Sequence, residues 1–105
     1  MNALNFIGGV FVDAHDGGTI TNINPATGEP IGTLTRSNKA DVESAVQAST
    51  HVQEQWSALS LLERADWLDR IADGLELRKE ELAQLESTDT GKPLALARRV
   101  DAERS

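Results

Sequence analysis

Asp89-Thr90-Gly91-Lys92-Pro93 is the stretch that decides how the second half of this 105-residue chain folds. Helical residues precede it, and Gly91 suits the left-handed conformation in which helices commonly end. Pro93 cannot continue that helix but fits the first turn of another, which we predict from Leu94 onward. No stop signal follows before Ser105, so we expect this chain to be the front part of a longer protein.

From residue 38 up to this stretch, apolar residues recur at the spacing typical of a helix. Asn38 is suited to cap a helix over about residues 39–57, and Ser60 with Glu63 forms the capping box of a second helix. Residues 80–87 continue or restart the second helix. Each helix carries an apolar stripe that we expect to need a partner surface. The predicted inward residues are Val42, Ala45, Val46, Val52 and Trp56, then Ala65, Leu68, Ile71, Ala72 and Leu75, then Leu82 and Leu85.

Residues 5–35 have the β-branched, glycine-rich composition of short strands joined by turns. The predicted strands are Phe6-Ile7, Val10-Phe11-Val12, Thr19–Ile23 and Ile31–Thr35. Gly8-Gly9 joins the first two as a hairpin, because two glycines adopt the positive φ angles of a type I′ turn. Asn24-Pro25-Ala26-Thr27-Gly28-Glu29 is a further turn. Strands at about 5–35 and three to four helices at about 39–105 make this chain an α+β unit.

The charge balance restricts the partners of this chain. Seventeen acidic against ten basic residues give a net charge of −7, which a nucleic acid backbone or an anionic membrane repels. The sequence has neither the roughly 20-residue apolar run of a spanning helix nor a signal-peptide layout. It contains no cysteine, so disulfides, thiolate metal sites and thiol chemistry are excluded. We predict a cytoplasmic protein with no nucleic acid and no membrane partner.

Six short segments follow one another in an order and spacing typical of one family. They are Phe6-Ile7-Gly8-Gly9-Val10-Phe11-Val12, Asn24-Pro25-Ala26-Thr27-Gly28-Glu29, Asp41-Val42 with Ala45-Val46 and Trp56, Glu63-Arg64 with Ile71-Ala72, Glu81-Leu82-Ala83 with Glu86, and Asp89-Thr90-Gly91-Lys92-Pro93. Together they resemble the NAD(P)-dependent aldehyde dehydrogenases over roughly Phe6 to Asp101. Residues 91–98 are most similar to the branch acting on 2-hydroxymuconic and 2-aminomuconic semialdehydes in aromatic catabolism. Where the family usually continues with Ile-Pro-Arg, this chain has Ala102-Glu103-Arg104.

The resemblance implies an α/β fold for the full-length protein, with residues 1–105 the N-terminal part of its cofactor-binding domain. It implies an oxidoreductase that oxidises an aldehyde to a carboxylic acid with NAD or NADP as hydride acceptor. The similarity of residues 91–98 to the semialdehyde branch implies a muconic semialdehyde as that aldehyde. Family members are usually dimers or tetramers. Their cysteine nucleophile, glutamate base, oxyanion Asn and glycine-containing cofactor turn come later in the sequence. We therefore assign no catalytic or cofactor-binding residue here, and expect this chain alone to be inactive.

One site carries over by resemblance. In several branches a structural monovalent cation is held by a backbone carbonyl just before the Asn-Pro turn and by the Asp of the Asp-Thr-Gly-Lys-Pro motif. These positions are Ile23 and Asp89 in this chain. The remaining ligands would lie beyond Ser105. A hard cation needs several oxygens, so we expect these two residues alone to bind weakly.

Other interpretations stay open at this point. The chain could be a non-catalytic remnant, a module that binds full-length subunits, or an unrelated acidic binding protein. On the residues alone, the two turn motifs could be structural only. His15 could be a loop residue or a metal ligand. Arg64 could bind a carboxylate elsewhere in the fold or a partner. The acidic residues expected to face solvent are Asp41, Glu43, Glu63, Asp66, Asp69 and Asp73.

Overall fold

The structure, a computed structural model, describes residues 1–102. The strands are β1 (Asn2–Ala3), β2 (Asn5–Ile7), β3 (Val10–Val12), β4 (Thr19–Ile23) and β5 (Pro30–Thr35). The helices are α1 (Lys39–Ala58), α2 (Leu61–Leu77), α3 (Lys79–Thr90) and α4 (Leu94–Leu96), the last running on as a π-helical segment, Ala97–Asp101. Strands followed by helices confirm the predicted class for this chain.

The described backbone divides into two compact units. The first contains Met1–Asn22 and Pro30–Leu59, and so includes β1, β2, β3, β5, α1 and most of β4. The second contains Ile23–Glu29 together with residues 60–102. The candidate cation ligands Ile23 and Asp89 therefore fall in one unit.

In the first unit, β2 and β3 form the predicted hairpin. Gly8 and Gly9 have φ angles of 61° and 85°, as a type I′ turn requires. Phe6 lies directly opposite Phe11, and their ring centroids are 5.0 Å apart. Both rings are more than half exposed, so this pair lies on the solvent-exposed face of the hairpin.

The remaining strands form a sheet in the order β1-β5-β4. The sequence did not predict β1, which pairs in parallel with β5 through Asn2 opposite Thr33. The Met1 ammonium donates to the Ile31 carbonyl at 2.8 Å, and the Thr33 N–H donates to the Met1 carbonyl at 3.1 Å. Pairing over 31 residues leaves no local signal, which explains the omission.

The N-terminus of α1 is fixed by a buried carboxylate. Asn38 accepts from the Ala40 N–H at 2.8 Å, and Asp41 Oδ2 accepts from the Asn38 N–H at 2.7 Å, which forms a capping box. Asp41 Oδ1 also accepts from the His15 N–H at 2.8 Å. Asp41 is only 6% exposed, so the prediction that it faces solvent was wrong.

The second unit follows the local signals closely at its helix ends. Ser60 and Glu63 form the predicted capping box of α2. The segment after it restarts as α3 at Lys79 rather than continuing α2, and it ends at Gly91 with a φ of 74°. Pro93 is the N-cap of α4, which begins at Leu94 as predicted. The predicted helix from Leu94 is α-helical for three residues only before it becomes π-helical, and its part beyond residue 102 lies outside the described residues.

The prediction that the apolar stripe of α2 is buried was wrong for this chain. Leu68 is 59% exposed and Ile71 57% exposed. Val42 and Val46 of α1 are equally uncovered, while Trp56 is 37% exposed. Among the described residues, the buried apolar side chains are Ala14, Ala83 and Ala97. The apolar helix faces therefore lack a covering layer, as their expected need for a partner surface implies.

Candidate functional site

A hydrogen-bonded turn follows directly after Ile23, the last residue of β4. The Asn24 N–H donates to the Glu29 carbonyl at 2.9 Å, and the Gly28 N–H donates to the Asn24 carbonyl at 2.8 Å. The Asn24 side-chain oxygen accepts from the Ala26 N–H at 2.9 Å, which forms an Asx turn. These bonds fix the direction in which the chain leaves Ile23.

This turn lies against the end of α3. The Gly91 N–H donates to the Ser87 carbonyl at 3.0 Å, closing the helix in the left-handed conformation. A Cβ atom on Gly91 would lie 3.0 Å from Pro25 Cγ, so this position needs glycine both for its φ angle and for space. The contact brings the segment after Ile23 beside the segment after Asp89.

Asp89 itself lies in the last turn of α3 with an exposed side chain. The Ile23 carbonyl and the Asp89 carboxylate are both oxygen donors, the type that a hard cation prefers. Among the described residues, no three His, Cys, Asp or Glu side chains group together as a metal site would require. The Ile23 carbonyl and the Asp89 carboxylate would thus supply part of the coordination shell of a cation, and its other ligands would come from elsewhere.

Hydroxyl groups hold the loop between α3 and α4 in place. The Ser87 hydroxyl donates to the Lys92 carbonyl at 2.7 Å, and the Thr90 hydroxyl donates to the Glu86 carbonyl at 2.7 Å. The Lys92 N–H donates in turn to Thr90 Oγ1 at 3.3 Å. The motif Asp89-Thr90-Gly91-Lys92-Pro93 therefore acts as a well-bonded helix junction.

Lys92 joins α3 to the π-helical segment through two carboxylates. Its ammonium group lies 2.5 Å from Asp101 Oδ2 and 3.2 Å from Glu86 Oε1. The hydrogen bond to Asp101, and then that to Glu86, raise the pKa of Lys92. Lys92 and Asp101 are nine residues apart with no helical register between them, so this cluster leaves no local signal in the sequence.

Arg98 makes a second, two-pronged contact with α3. Its Nε and Nη2 atoms donate to Glu80 at 2.8 and 2.6 Å. These bonds, helped by one from Gln84, lower the pKa of Glu80 to about 2. The bidentate geometry fixes both partners better than a single ion pair would.

We expect Arg98→Gln to raise the pKa of Glu80 towards its ordinary value, while the remaining hydrogen bond from Gln84 still lowers it. In the native chain the Glu80 pKa should lie near 2, against an ordinary value of 4.5. Because the folded pKa is lowered, this contact stabilises the fold above pH 4.5 and is lost as the pH falls towards 2. Carboxylate NMR shifts followed over pH would show this. Arg78→Gln is the matched control, since Arg78 binds Glu81 instead. A Glu80 pKa near 4.5 in the native chain would contradict the prediction.

Other candidate residues have structural positions. His15 contributes its backbone N–H to Asp41. Glu63 serves as the cap of α2, where hydrogen bonds from the Ser60 N–H and hydroxyl lower its pKa. Arg64 is half-buried. Within residues 1–102, no helix combines the length and hydrophobicity needed to cross a membrane.

Comparison with known proteins identifies relatives over nearly the whole chain. Residues 11–105 match the aldehyde dehydrogenase family. A 2-hydroxymuconic semialdehyde dehydrogenase from Pseudomonas sp. (strain CF600) is 40% identical over 101 residues, which are 95% of this chain and 21% of that protein.

Solved structures give the same result for the backbone. PnpE from Pseudomonas sp. WBC-3 is 42% identical, with a TM-score of 0.95 over 99% of this chain and 21% of its own. An aldehyde dehydrogenase from Bacillus cereus, solved with NAD⁺, is 35% identical, with a TM-score of 0.93 over 98% of this chain and 21% of its own. This chain therefore spans about one fifth of the length of the relatives it matches.

These findings confirm the resemblance read from the six sequence segments, including its similarity to the semialdehyde branch. They also confirm the aldehyde dehydrogenase-like fold. Matched over residues 11–105, the chain belongs to the aldehyde dehydrogenase family.

Proposed function

We propose that this chain is the N-terminal part of an oxidoreductase that oxidises an aldehyde to a carboxylic acid, with NAD as hydride acceptor. The family match over residues 11–105 carries this proposal. NAD is favoured over NADP because PnpE, whose backbone this chain closely shares, was solved in complex with NAD. A semialdehyde of the muconic type is the proposed substrate, since one relative is a 2-hydroxymuconic semialdehyde dehydrogenase.

The proposed role of residues 1–105 is structural: they form the N-terminal part of the cofactor-binding domain in a cytoplasmic, oligomeric enzyme. The sequence contains no cysteine, so a thiolate that attacks the aldehyde must come from another part of the protein. None of the residues here is proposed to touch the dinucleotide or the aldehyde. The uncovered apolar faces of α1 and α2 support this scaffold role, because they require the rest of the enzyme.

We further propose that Ile23 and Asp89 supply two oxygens to a structural monovalent cation. The contact between Gly91 and Pro25 supports this, because it holds the two ligand-bearing segments side by side. In the assembled enzyme, replacing K⁺ by a bulky quaternary ammonium ion should lower the melting temperature. Asp89→Asn should abolish that dependence, and an identical response in both proteins would exclude a role for Asp89.

The experiment that tests the function begins with the coding DNA after the Ser105 codon. We expect an open frame whose product reduces NAD when supplied with 2-hydroxymuconic semialdehyde, followed by absorbance at 340 nm. The purified 105-residue chain should show no turnover under the same conditions. Turnover by the short chain, or a full-length product inactive towards every semialdehyde tried, would contradict the proposal. A stop codon after Ser105 would favour the alternative, a non-catalytic remnant or subunit-interaction module, which the exposed apolar faces also permit.

A further inference from the structure

The helix that begins at Leu94 changes its hydrogen-bonding register after one turn. The Ala97 N–H donates to the Pro93 carbonyl at 3.0 Å, four residues back, as in an ordinary α-helix. The Ala102 N–H then donates to the Ala97 carbonyl at 3.0 Å, five residues back, and this bond makes Ala97–Asp101 π-helical. Single π-helical turns are rare and occur frequently at functional sites, so this turn needs a physical cause.

The register sets the rotation about the helix axis at which the chain reaches Ala102. Successive residues of an α-helix are turned by about 100° about its axis. A π-helical turn is closed by a bond over five residues instead of four, so the residue after it is rotated by about that angle relative to an uninterrupted α-helix. Ala102 itself has right-handed helical angles, φ −72° and ψ −26°. The change of register is therefore confined to the segment before it.

Lys92 attaches the far end of this turn to α3. Its carbonyl accepts from the Ser87 hydroxyl and its N–H donates to Thr90 Oγ1, so its backbone is anchored at the end of α3. Its ammonium group donates to Asp101 Oδ2 at 2.5 Å and to Glu86 Oε1 at 3.2 Å. The side chains of Lys92 and Asp101 are only 27% and 31% exposed, so solvent and salt screen their attraction less than at an open surface.

The other ion pair of this segment does not distinguish the two registers. Arg98 donates to Glu80 through two nitrogen atoms, but Arg98 comes only one residue after Ala97, where the π-helical and α-helical registers diverge. Asp101 comes four residues after Ala97. Because the difference in rotation accumulates along the turn, the direction of the Asp101 side chain changes most, and an α-helical register would turn it away from Lys92.

We infer that Lys92 is a positioning residue whose bond to Asp101 selects the π-helical register, and that loss of this bond returns residues 97–101 to the α-helical register. The two registers are alternative arrangements of one segment, and they differ by about 100° in the rotation of the chain at Ala102. The junction at residues 89–93 thus controls the helix that follows it as well as ending the helix before it. This role in positioning is independent of the proposed enzymatic function.

The test identifies the carbonyl that accepts from the Ala102 N–H in the 105-residue chain, by NMR scalar couplings across hydrogen bonds. In the native chain we expect a coupling to the Ala97 carbonyl. Lys92→Met keeps the length of the side chain and removes its charge. In that variant we expect the coupling to Ala97 to be lost and replaced by one to the Arg98 carbonyl. Lys92→Arg keeps the charge and should retain the native coupling. Asp101→Asn weakens the same bond from the other side and should shift the coupling in the same direction as Lys92→Met.

Arg98→Gln is the matched control, since it removes the other ion pair of the segment and should leave the coupling to Ala97 unchanged. A native chain in which Ala102 couples to the Arg98 carbonyl would overturn the inference. So would a Lys92→Met variant that keeps the native coupling, or one that is folded by circular dichroism and shows neither coupling, since a frayed segment has no second register. A complete change of acceptor in Arg98→Gln would also overturn it, because any attachment to α3 would then hold the π-helical turn.

Discussion

Gly91→Ala is expected to destabilise the fold by on the order of 3 kcal/mol. An alanine at the observed φ of 74° carries a left-handed strain of about 1–2 kcal/mol. Its Cβ would also lie 3.0 Å from Pro25 Cγ, so the proline ring or the backbone beside it would have to shift. Overpacking of this kind adds roughly 1–3 kcal/mol. Urea unfolding followed by circular dichroism would measure the loss in the free energy of unfolding.

Gly28→Ala separates the two causes. Gly28 has a φ of 76°, nearly the same as Gly91, but an added Cβ would meet no heavy atom within 4 Å. It should therefore show the strain alone, about 1–2 kcal/mol. The excess loss in Gly91→Ala reports the contact between the α3 end and the Asn24–Glu29 turn. Equal losses in the two variants would mean that this contact contributes nothing.

Asp41→Ala is expected to cost a similar amount, again on the order of 3 kcal/mol. The substitution removes the Asp41 half of the capping box, while the Asn38 side chain still caps the helix. It also leaves the N–H groups of His15 and Asn38 without their acceptor, and an unpaired buried donor costs about 1–3 kcal/mol. Thermal unfolding should show the loss, and hydrogen exchange at the His15 amide should become faster.

Glu63→Ala is the matched comparison, since it removes the same capping position from α2. Glu63 accepts from the Ser60 N–H at 2.8 Å, but both residues are exposed, so water replaces the lost bond. The loss should be clearly smaller than in Asp41→Ala. If the two variants lose equal stability, burial of Asp41 and its bond to His15 have no energetic importance.

The local features of this chain were accessible from its sequence. The Gly8-Gly9 hairpin, the N-cap at Asn38, the capping box at Ser60 and the helix stop at Gly91 all depend on residues within a few positions of one another. Their geometry follows from intrinsic φ preferences and from the free N–H groups of helix ends. The six-segment resemblance relied on these same local motifs, which explains why it identified the family.

Features that depend on distant residues were missed. Asp41 was predicted to face solvent as a charged residue of an amphipathic helix, and its bond to His15 left no local signal because it spans 26 residues. The contact between Arg98 and Glu80 spans 18 residues, and β1 pairs with a strand 31 residues away. The apolar stripe of α2 was predicted to be buried on the evidence of periodicity alone. Periodicity shows which side of a helix is apolar, but it does not show whether another surface covers that side. The cation site at Ile23 and Asp89 stays a prediction.

The two tryptophans offer a spectroscopic consequence of the two-unit organisation. Trp56 lies in α1 of the first unit, and Trp67 lies in α2 of the second, where the Arg70 guanidinium is 4.9 Å from the ring centroid. The sequence contains no other tryptophan and no tyrosine. Trp56→Phe and Trp67→Phe each leave a single fluorophore, so emission spectra of the two variants follow one unit at a time. Coincident transitions would show that the units lose their structure cooperatively, and separate transitions would give the order in which they do so.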